Sequence, residues 1–287
     1  MTLGRFQDPD GREVDLHLHS TASDGTLPPA EVVRRAAAKG LWGMSLTDHD
    51  TVDGLGEAAV EAERLGIVFI AGAELSANEP GRSVHLLAFG FDPANDRFGR
   101  YLAHFRTDRL RRARGIVERL RAIGVPLDYA AVARNAGTAA PTRAHVSRAL
   151  VAEGLAANDE EVFRRWLSAD GPAYVEKMTM PPARICEEVH AAGGVVVLAH
   201  PGRYHRADEI RRWVADGMDG IEVLHPVNTV EVRRGMDALA AELGLLRSGG
   251  SDWHGPGTRR RSEIGSQSVP AIWLERIAER TAVELRR

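Results

Sequence analysis

The chain has 287 residues, of which 44% are hydrophobic, which is enough for one large α/β domain or a barrel with an insertion. A formal net charge of −3 excludes the bulk basic charge of many nucleic-acid-binding proteins, and the single cysteine, Cys186, excludes a disulfide framework and a thiolate metal cluster. No apolar run reaches the roughly 20 residues needed to span a bilayer, and the N-terminus lacks the apolar core of a signal peptide, so we expect a cytoplasmic protein.

Short apolar runs alternate with amphipathic segments in the first and last thirds of the chain. The predicted strands cover residues 14–19, 41–47, 67–73, 83–91, 195–199, 221–224 and 245–249. The predicted helices cover residues 28–39, 52–65, 182–192, 207–215, 229–243 and 271–285. This alternation predicts a parallel sheet, and seven such strands are about enough to close a barrel.

Residues 92–180 interrupt the alternation with helical patterns and no convincing strand. We interpret them as a helical insertion that caps one end of the barrel, so that the barrel consists of residues 1–91 and 181–287. The expected fold class is therefore α/β, a TIM-like barrel with a helical insertion.

Histidine and carboxylate residues recur where the predicted strands end. The first strand, in VDLHLHSTASDG, has a period of two, so Asp15, His17 and His19 should share one face. Because the carboxyl ends of parallel barrel strands point the same way, residues far apart in sequence converge there. The further candidates at or just after strand ends are Asp24, Asp48, His49, Asp50, Glu74, His200, Asp252 and His254, and His85 lies early in the fourth predicted strand.

Imidazole and carboxylate groups are the ligands that zinc, manganese and iron take, and a carboxylate can bridge two ions. A lone strand histidine is more often a packed or rim residue. The combination of HxH, DHD, a strand-terminal glutamate and DxH at successive strand ends instead predicts a metal centre. The candidates outnumber the roughly four to six ligands of a single ion, so we predict two or three divalent ions.

The stretches DLHLHSTASDGT, SLTDHDTVDG, IAGAELS, VHLLAFGF, LAHPG and SGGSDWHG resemble, in order, the motifs of the PHP family, named for polymerase and histidinol phosphatase. The resemblance implies a distorted (β/α)7 barrel with a trinuclear metal site at the strand ends. For the first ion it implies the ligands His17, His19, Glu74 and Asp252. For the second it implies Glu74 as a bridge and His85, and for the third Asp24, His49 and His254. Asp15 gains no ligand role.

The second ion would take a further ligand from the middle of the chain. APTRAHVSRALVAEG, residues 140–154, is similar to the family's arginine-x-histidine segment, which makes His145 the candidate. Without the resemblance, His145 would be interpreted as a histidine on a helix surface.

Within the family, this chain is most similar to the branch that removes a phosphate from 3′,5′-bisphosphonucleotides or trims short RNA from a 5′-phosphate end. The expected activity is metal-dependent phosphoester hydrolysis by metal-bound hydroxide, with manganese as the expected ion and iron or zinc as alternatives. The expected partners are a small nucleotide or a short 5′-phosphorylated RNA as substrate, with no stable nucleic-acid complex and no membrane. The alternatives are a phosphatase for another small phosphomonoester, such as histidinol phosphate, and a non-catalytic metal-binding PHP module, against which the full ligand set argues.

Substrate phosphate should meet cationic side chains at the rim, and a guanidinium can do so through two parallel hydrogen bonds. We predict this role for Arg143 and Arg203, with His200 as a phosphate contact or proton donor; either arginine could equally be solvated. The run of seven arginines in residues 106–121 is interpreted as a solvated helix face, with an electrostatic lip that attracts nucleotides as the alternative.

Overall fold

The strands form one sheet that curls into a nearly closed barrel in the computed structural model, which describes residues 8, 10–79, 82–202, 206–258 and 262–286. The sheet order is β7-β6-β5-β4-β3-β2-β1-β8. The strands are β1 (Glu13–Asp15), β2 (Gly43–Leu46), β3 (Val68–Glu79), β4 (Arg82–Phe89), β5 (Val195–Leu198), β6 (Gly220–Leu224), β7 (Leu246–Gly249) and β8 (Val269–Pro270). The predicted α/β barrel with a helical insertion is confirmed.

The direction of one inner strand differs from the prediction of a parallel sheet. β4 runs antiparallel to both β3 and β5, whereas β1, β2 and β3 are parallel to one another, as are β5, β6 and β7. Only two residues separate β3 from β4, which is too few for a crossover helix, so the two strands form a hairpin. The short β8, which was not predicted, pairs antiparallel with β1.

The barrel closes where the chain continues beyond β1 and β7. The backbone N–H of Leu16 donates to the carbonyl of Gly249 at 3.1 Å, and that of Asp252 donates to the carbonyl of His17 at 2.8 Å. The buried carboxylate of Asp15 accepts hydrogen bonds from the backbone N–H groups of Ser251 (3.0 Å) and Gly265 (2.9 Å). Asp15 therefore joins the two edges of the closing seam, which explains its place on the histidine face without any ligand role.

Helices cover the outside of the barrel and fill the interval between β4 and β5. The described residues form the helices α1 (Pro29–Ala38), α2 (Leu55–Leu65), α3 (Asp96–Ala122), α4 (Tyr129–Ala136), α5 (Arg143–Ala152), α6 (Asp159–Val162), α7 (Pro182–Ala191), α8 (Ala207–Ala215), α9 (Val230–Leu243) and α10 (Ala271–Thr281). α1 begins with proline, whose fixed φ suits a first helical turn. Among the helices that the structure describes, none is both long and apolar enough to cross a membrane.

The segment between β4 and β5 has an apolar cluster of its own. Leu120, Val146 and Trp166 belong to this cluster, and Trp166 lies in a π-helical turn, Phe163–Leu167. The first half of α3 instead packs into the barrel core through Phe98 and Phe105. α3 thus connects the two cores, and the division of the chain at residues 92 and 180 stays a prediction.

Candidate metal centre

Histidine, aspartate and glutamate side chains converge at one mouth of the barrel. In the described part of the chain they form four overlapping groups, within each of which the possible ligand atoms lie within 4.8 Å of one another. These groups are His19–Asp24–His49–His254, His17–His19–Glu74–Asp252, His49–Glu74–His85 and His17–Glu222–His225. The structure therefore brings together eight of the nine predicted ligands, all except His145.

Glu74 lies at the centre of this cluster and is fully buried. Its side chain projects from β3, in the part of that strand that faces the mouth. Five imidazole nitrogens surround its carboxylate: His17 Nε2 (3.4 Å), His19 Nε2 (3.2 Å) and His49 Nδ1 (3.0 Å) around Oε2, and His85 Nδ1 (2.7 Å) and His200 Nε2 (2.8 Å) around Oε1. A carboxylate in this position can bridge ions on either side of it.

The antiparallel direction of β4 explains how His85 reaches the cluster. His85 lies near the beginning of β4, and a strand that begins where its parallel neighbours end places its first residues at the same mouth. The register pairs His85 with Ser76 of β3, two residues beyond Glu74. The predicted convergence of His85 is thus achieved, but by a strand of the opposite direction.

The structure brings His200 into the cluster and does not bring His145 there. His200 follows β5, and its Nε2 lies 2.8 Å from Glu74 Oε1. His145 is buried in the first turn of α5, where its Nδ1 accepts a hydrogen bond from the backbone N–H of Thr142 at 3.0 Å. Neither histidine belongs to a ligand group among the described residues, but of the two only His200 contacts Glu74.

The buried polar atoms of the cluster test whether these residues fit metal ions. Within the described ranges, His17 Nε2, both ring nitrogens of His19 and Glu74 Oε2 are buried without a hydrogen-bond partner. Burial of polar atoms without a partner is costly, so such atoms gathered in one cluster are suited to bind cations. Nitrogen and oxygen donors in this arrangement fit divalent manganese, iron or zinc.

The electrostatics of the cluster also suit cations. Burial lowers the pKa of His85 to about 3, and burial together with His254 lowers the pKa of His19 well below its usual value, so both rings are neutral at pH 7. His17 is the exception, because burial alone would lower its pKa but Glu222 and Glu74 outweigh burial and raise that pKa to about 9, so a cation at its Nε2 must displace a proton. Burial alone would raise the pKa of Glu74, but His49 and His85 hold it well below its ordinary range. Neutral imidazoles and an ionised carboxylate are the protonation states that metal binding requires.

Of the three ionisable residues in the DHD motif, only His49 enters the cluster. Asp48 accepts hydrogen bonds from the backbone N–H (2.8 Å) and hydroxyl (2.6 Å) of Ser20, which fixes the loop that carries Asp24. Asp50 accepts from the backbone N–H of Ser76 at 2.7 Å and pairs with Arg109. The two aspartates therefore position the loops around the site.

The backbone is strained at the ends of three strands that contribute to the site. Asp50, His200 and Asp252 have positive φ angles of 50°, 29° and 51°, in the left-handed region that residues other than glycine rarely adopt. Each such residue costs on the order of 1–3 kcal/mol, and such strain tends to occur at functional sites. The turns at these positions bring side chains of the three strand ends to the mouth.

A cleft of about 340 Å³ opens beside the cluster, with Asp24, His49, His85 and His254 in its wall. Its lining within the described residues includes five cationic side chains, from Arg109, Arg112, Arg143, Arg148 and Lys177. The predicted phosphate-binding residue Arg143 is therefore at the cleft. Arg203, the other predicted one, lies outside the described residues.

The arginines in residues 106–121 do not all have the same role: some line the cleft, and others are solvated on the helix surface. Arg109 and Arg112 line the cleft, whereas the exposed Arg106 pairs with the exposed Asp53, and the exposed Arg111 pairs with Asp108 at the edge of the cleft. The spacing of three residues between Arg109 and Arg112 is a helical-face signal that the sequence did contain. Lys177 had no such signal, because it precedes β5 in an irregular segment.

Crowding of positive charge makes the cleft attractive to anions. Burial lowers the pKa of Lys177 to about 8, against the opposing effect of Asp50, and Arg109, Arg112 and Arg143 lower it further. Burial and the neighbouring Arg143 lower the pKa of Arg112 to about 10. An anion bound among these groups would relieve their mutual repulsion.

Comparisons with known proteins agree with this geometry. A family model described as the PHP domain matches residues 15–176. The chain is 37% identical over 250 residues to a 5′-3′ exoribonuclease of Haemophilus influenzae, covering 85% of this chain and 91% of the relative. It is 36% identical over 265 residues to a 3′,5′-nucleoside bisphosphate phosphatase of Chromobacterium violaceum, covering 90% and 93%. A crystal structure from Bifidobacterium adolescentis, assigned as a metal-dependent phosphoesterase, superimposes with a TM-score of 0.88 at 34% identity, covering 95% of this chain and 98% of the other.

Proposed function

This chain belongs to the PHP family, and from that premise we propose that it is a metal-dependent phosphoesterase of nucleotides. Its substrates would be 3′,5′-bisphosphonucleotides, short 5′-phosphorylated RNA, or both, bound without a stable nucleic-acid complex. The observation that carries this proposal is that the histidine and carboxylate cluster around Glu74 opens into a cleft lined by arginine and lysine side chains. A cytoplasmic location is part of the same proposal.

The residues proposed to hold the ions follow the groups in the structure. One ion would take His17, His19, Glu74 and Asp252, and another Asp24, His49 and His254. For the remaining ion we propose His200 beside His85 and Glu74, in place of His145, because His200 Nε2 lies 2.8 Å from Glu74 Oε1. Nitrogen and oxygen ligands suit manganese, and they also suit iron or zinc. Bound ions of this kind lower the pKa of a coordinated water and neutralise phosphate oxygens.

The cationic side chains would bind and orient the substrate. Arg112 and Arg143 present guanidinium groups to the cleft, and a guanidinium holds a phosphate through two parallel hydrogen bonds. The Lys177 ammonium lies 3.2 Å from Ser76 Oγ and 3.3 Å from His85 Nε2, between the cleft and the cluster. It is thus placed to hold a phosphate oxygen at the side of the cluster.

Apolar side chains in the same cleft favour a nucleotide over a small aliphatic phosphate. The partly buried Phe163 and Met178 line the cleft beside the arginines. An aromatic face can stack on a nucleobase and contributes about 1–3 kcal/mol per base in single-stranded nucleic-acid sites. Cations for two phosphates and apolar surface for a base together match a bisphosphonucleotide.

Substitution of Arg112 by alanine is expected to raise the KM for adenosine 3′,5′-bisphosphate by about tenfold or more, because a charge-assisted hydrogen bond contributes roughly 1.5–3 kcal/mol. The kcat should change much less. The matched control is Arg111→Ala on the same helix, whose side chain is 60% exposed and pairs with Asp108. Steady-state kinetics of both variants measure the effect; an equal KM for the two would contradict a substrate-binding role for Arg112.

A substrate panel tests the proposed function as a whole. Manganese-loaded protein would be incubated with adenosine 3′,5′-bisphosphate, a 5′-phosphorylated RNA oligomer and histidinol phosphate, and released phosphate and nucleotides would be quantified. We expect turnover of one or both nucleotide substrates. Release of neither phosphate nor nucleotides from any of the three would refute the enzymatic proposal and favour a non-catalytic metal-binding module. A preference for histidinol phosphate would overturn the choice of nucleotides.

A further inference from the structure

A second layer of polar residues lies behind the metal-binding cluster, at the end of β6. Glu222 belongs to β6 and is fully buried. Its Oε1 lies 2.8 Å from His17 Nδ1, and its Oε2 accepts a hydrogen bond from the backbone N–H of His200. The Glu222 carboxylate therefore contacts the side chain of His17 and the strained backbone of His200, which are proposed ligands of two different ions.

We propose that Glu222 and His225 are positioning residues that fix His17 and Asp252 for ion binding. This inference rests on the proposed metal centre. Glu222 is an acceptor, so a His17 imidazole that binds an ion through Nε2 must carry its proton on Nδ1 and donate it to Oε1. That tautomer leaves the lone pair of Nε2 directed at the cluster, where Nε2 lies 3.4 Å from both Glu74 Oε2 and Asp252 Oδ1.

The tautomer of His225 is fixed in a similar way, by the backbone. Its Nδ1 accepts a hydrogen bond from the backbone N–H of Val227 at 3.2 Å, and a backbone N–H can only donate. The proton of neutral His225 is therefore on Nε2, which lies 3.1 Å from Asp252 Oδ2 and donates to it. The other oxygen of that carboxylate, Oδ1, faces His19 Nε2 at 3.3 Å.

Asn228 holds this layer together. Its amide nitrogen donates to the carbonyl oxygens of Glu222 (3.2 Å) and Val223 (3.1 Å), and its amide oxygen accepts from the backbone N–H of Gly202 (3.0 Å). These hydrogen bonds connect the loop after β5 to the end of β6 behind the cluster. Second-layer contacts of this kind raise ligand basicity and set ring orientation, and their loss typically weakens metal binding by about 10–100-fold.

His17, Glu222 and His225 also lie close enough to be considered as a separate ion site. The contacts argue against that interpretation, because both oxygens of Glu222 already accept hydrogen bonds and His225 Nδ1 is occupied by Val227. The number of ions bound at saturation distinguishes the two roles. A positioning residue changes the affinity, whereas a ligand of a separate ion changes the count.

The decisive variant is Glu222→Gln, which keeps the shape of the side chain. Glutamine has one acceptor oxygen and one donor nitrogen, so it cannot accept from both His17 and His200. We expect metal affinity, measured by competition with a chromophoric chelator, to fall by about 10–100-fold with the number of ions at saturation unchanged. In zinc-loaded protein, long-range ¹H–¹⁵N NMR should detect the Nδ1–H of His17 in the wild type and its altered shift in the variant.

Glu188→Gln is the matched control, since Glu188 is a buried carboxylate that pairs with Arg97 and Arg184 away from the cluster. It should lower stability without changing metal affinity. His225→Phe tests the other half of the layer if Glu222→Gln does not fold, and a weaker affinity is again expected. Unchanged affinity in a folded variant of either residue would overturn its positioning role, and loss of one ion at saturation would make Glu222 a ligand. A wild-type protein that binds no ion would refute the proposed centre itself.

Discussion

Substitution of Glu74 by glutamine is expected to lower kcat/KM for phosphoester hydrolysis by about a thousandfold or more. Glu74 is fully buried, and its two oxygens lie within 3.4 Å of five imidazole nitrogens. Glutamine removes the negative charge and replaces one oxygen by an amide nitrogen, which cannot ligate a cation. If Glu74 bridges two ions as proposed, several kcal/mol of metal-dependent stabilisation would depend on its carboxylate, and each 1.36 kcal/mol corresponds to about tenfold in rate.

The measurement combines steady-state kinetics on adenosine 3′,5′-bisphosphate with the metal content of the purified variant and its circular dichroism spectrum. The same Glu188→Gln control accounts for the general effect of removing a buried carboxylate. We expect Glu74→Gln to remain folded and to bind fewer ions. A variant that keeps more than about a tenth of the wild-type kcat/KM would contradict the central role of Glu74.

Removal of the ions is expected to abolish activity and to lower the thermal midpoint by about 10 °C. Ligands that bind only the native state stabilise it by about 4 kcal/mol at a thousandfold excess over Kd. For a chain of this size each kcal/mol shifts the midpoint by roughly 2–4 °C. Chelation also returns His17 Nε2 and Glu74 Oε2 to a buried state without a hydrogen-bond partner.

Thermal unfolding followed by circular dichroism, with and without chelator, measures this effect, and added manganese should restore both the midpoint and the activity. Glu74→Gln provides the internal control, because its midpoint should respond much less to the chelator. Identical midpoints for chelated and manganese-loaded wild-type protein would argue against ions within the cluster.

The periodicity of the sequence determined most of the architecture. α8 covers Ala207–Ala215, the predicted range, and α7 ends one residue before the predicted end. β3 extends to Glu79, six residues beyond the predicted end, because its second half pairs with β4 in a hairpin. Local patterns specify whether a segment is a helix or strand, but the length of a strand depends on the partner it finds.

The sequence also determined which residue types gather at the site. HxH just beyond β1, the histidine of DHD after β2, and DxH after β7 all reach one mouth, since alternation fixes a face and the parallel strands fix an end. The cluster of His17, His19, Glu74 and Asp252 was therefore predictable without coordinates. Its role as a metal centre is what the Glu74 and chelation experiments test.

Only the tertiary structure decided which neighbours these residues meet. The choice of His200 over His145 beside Glu74, and the place of Glu222 and His225 behind the cluster, depend on distances across β3, β5 and β6. Sequence patterns report the face of an element and where it ends, because those follow from local backbone geometry. The partner of a side chain across the barrel depends on strand direction, register and loop path, which long-range pairing sets.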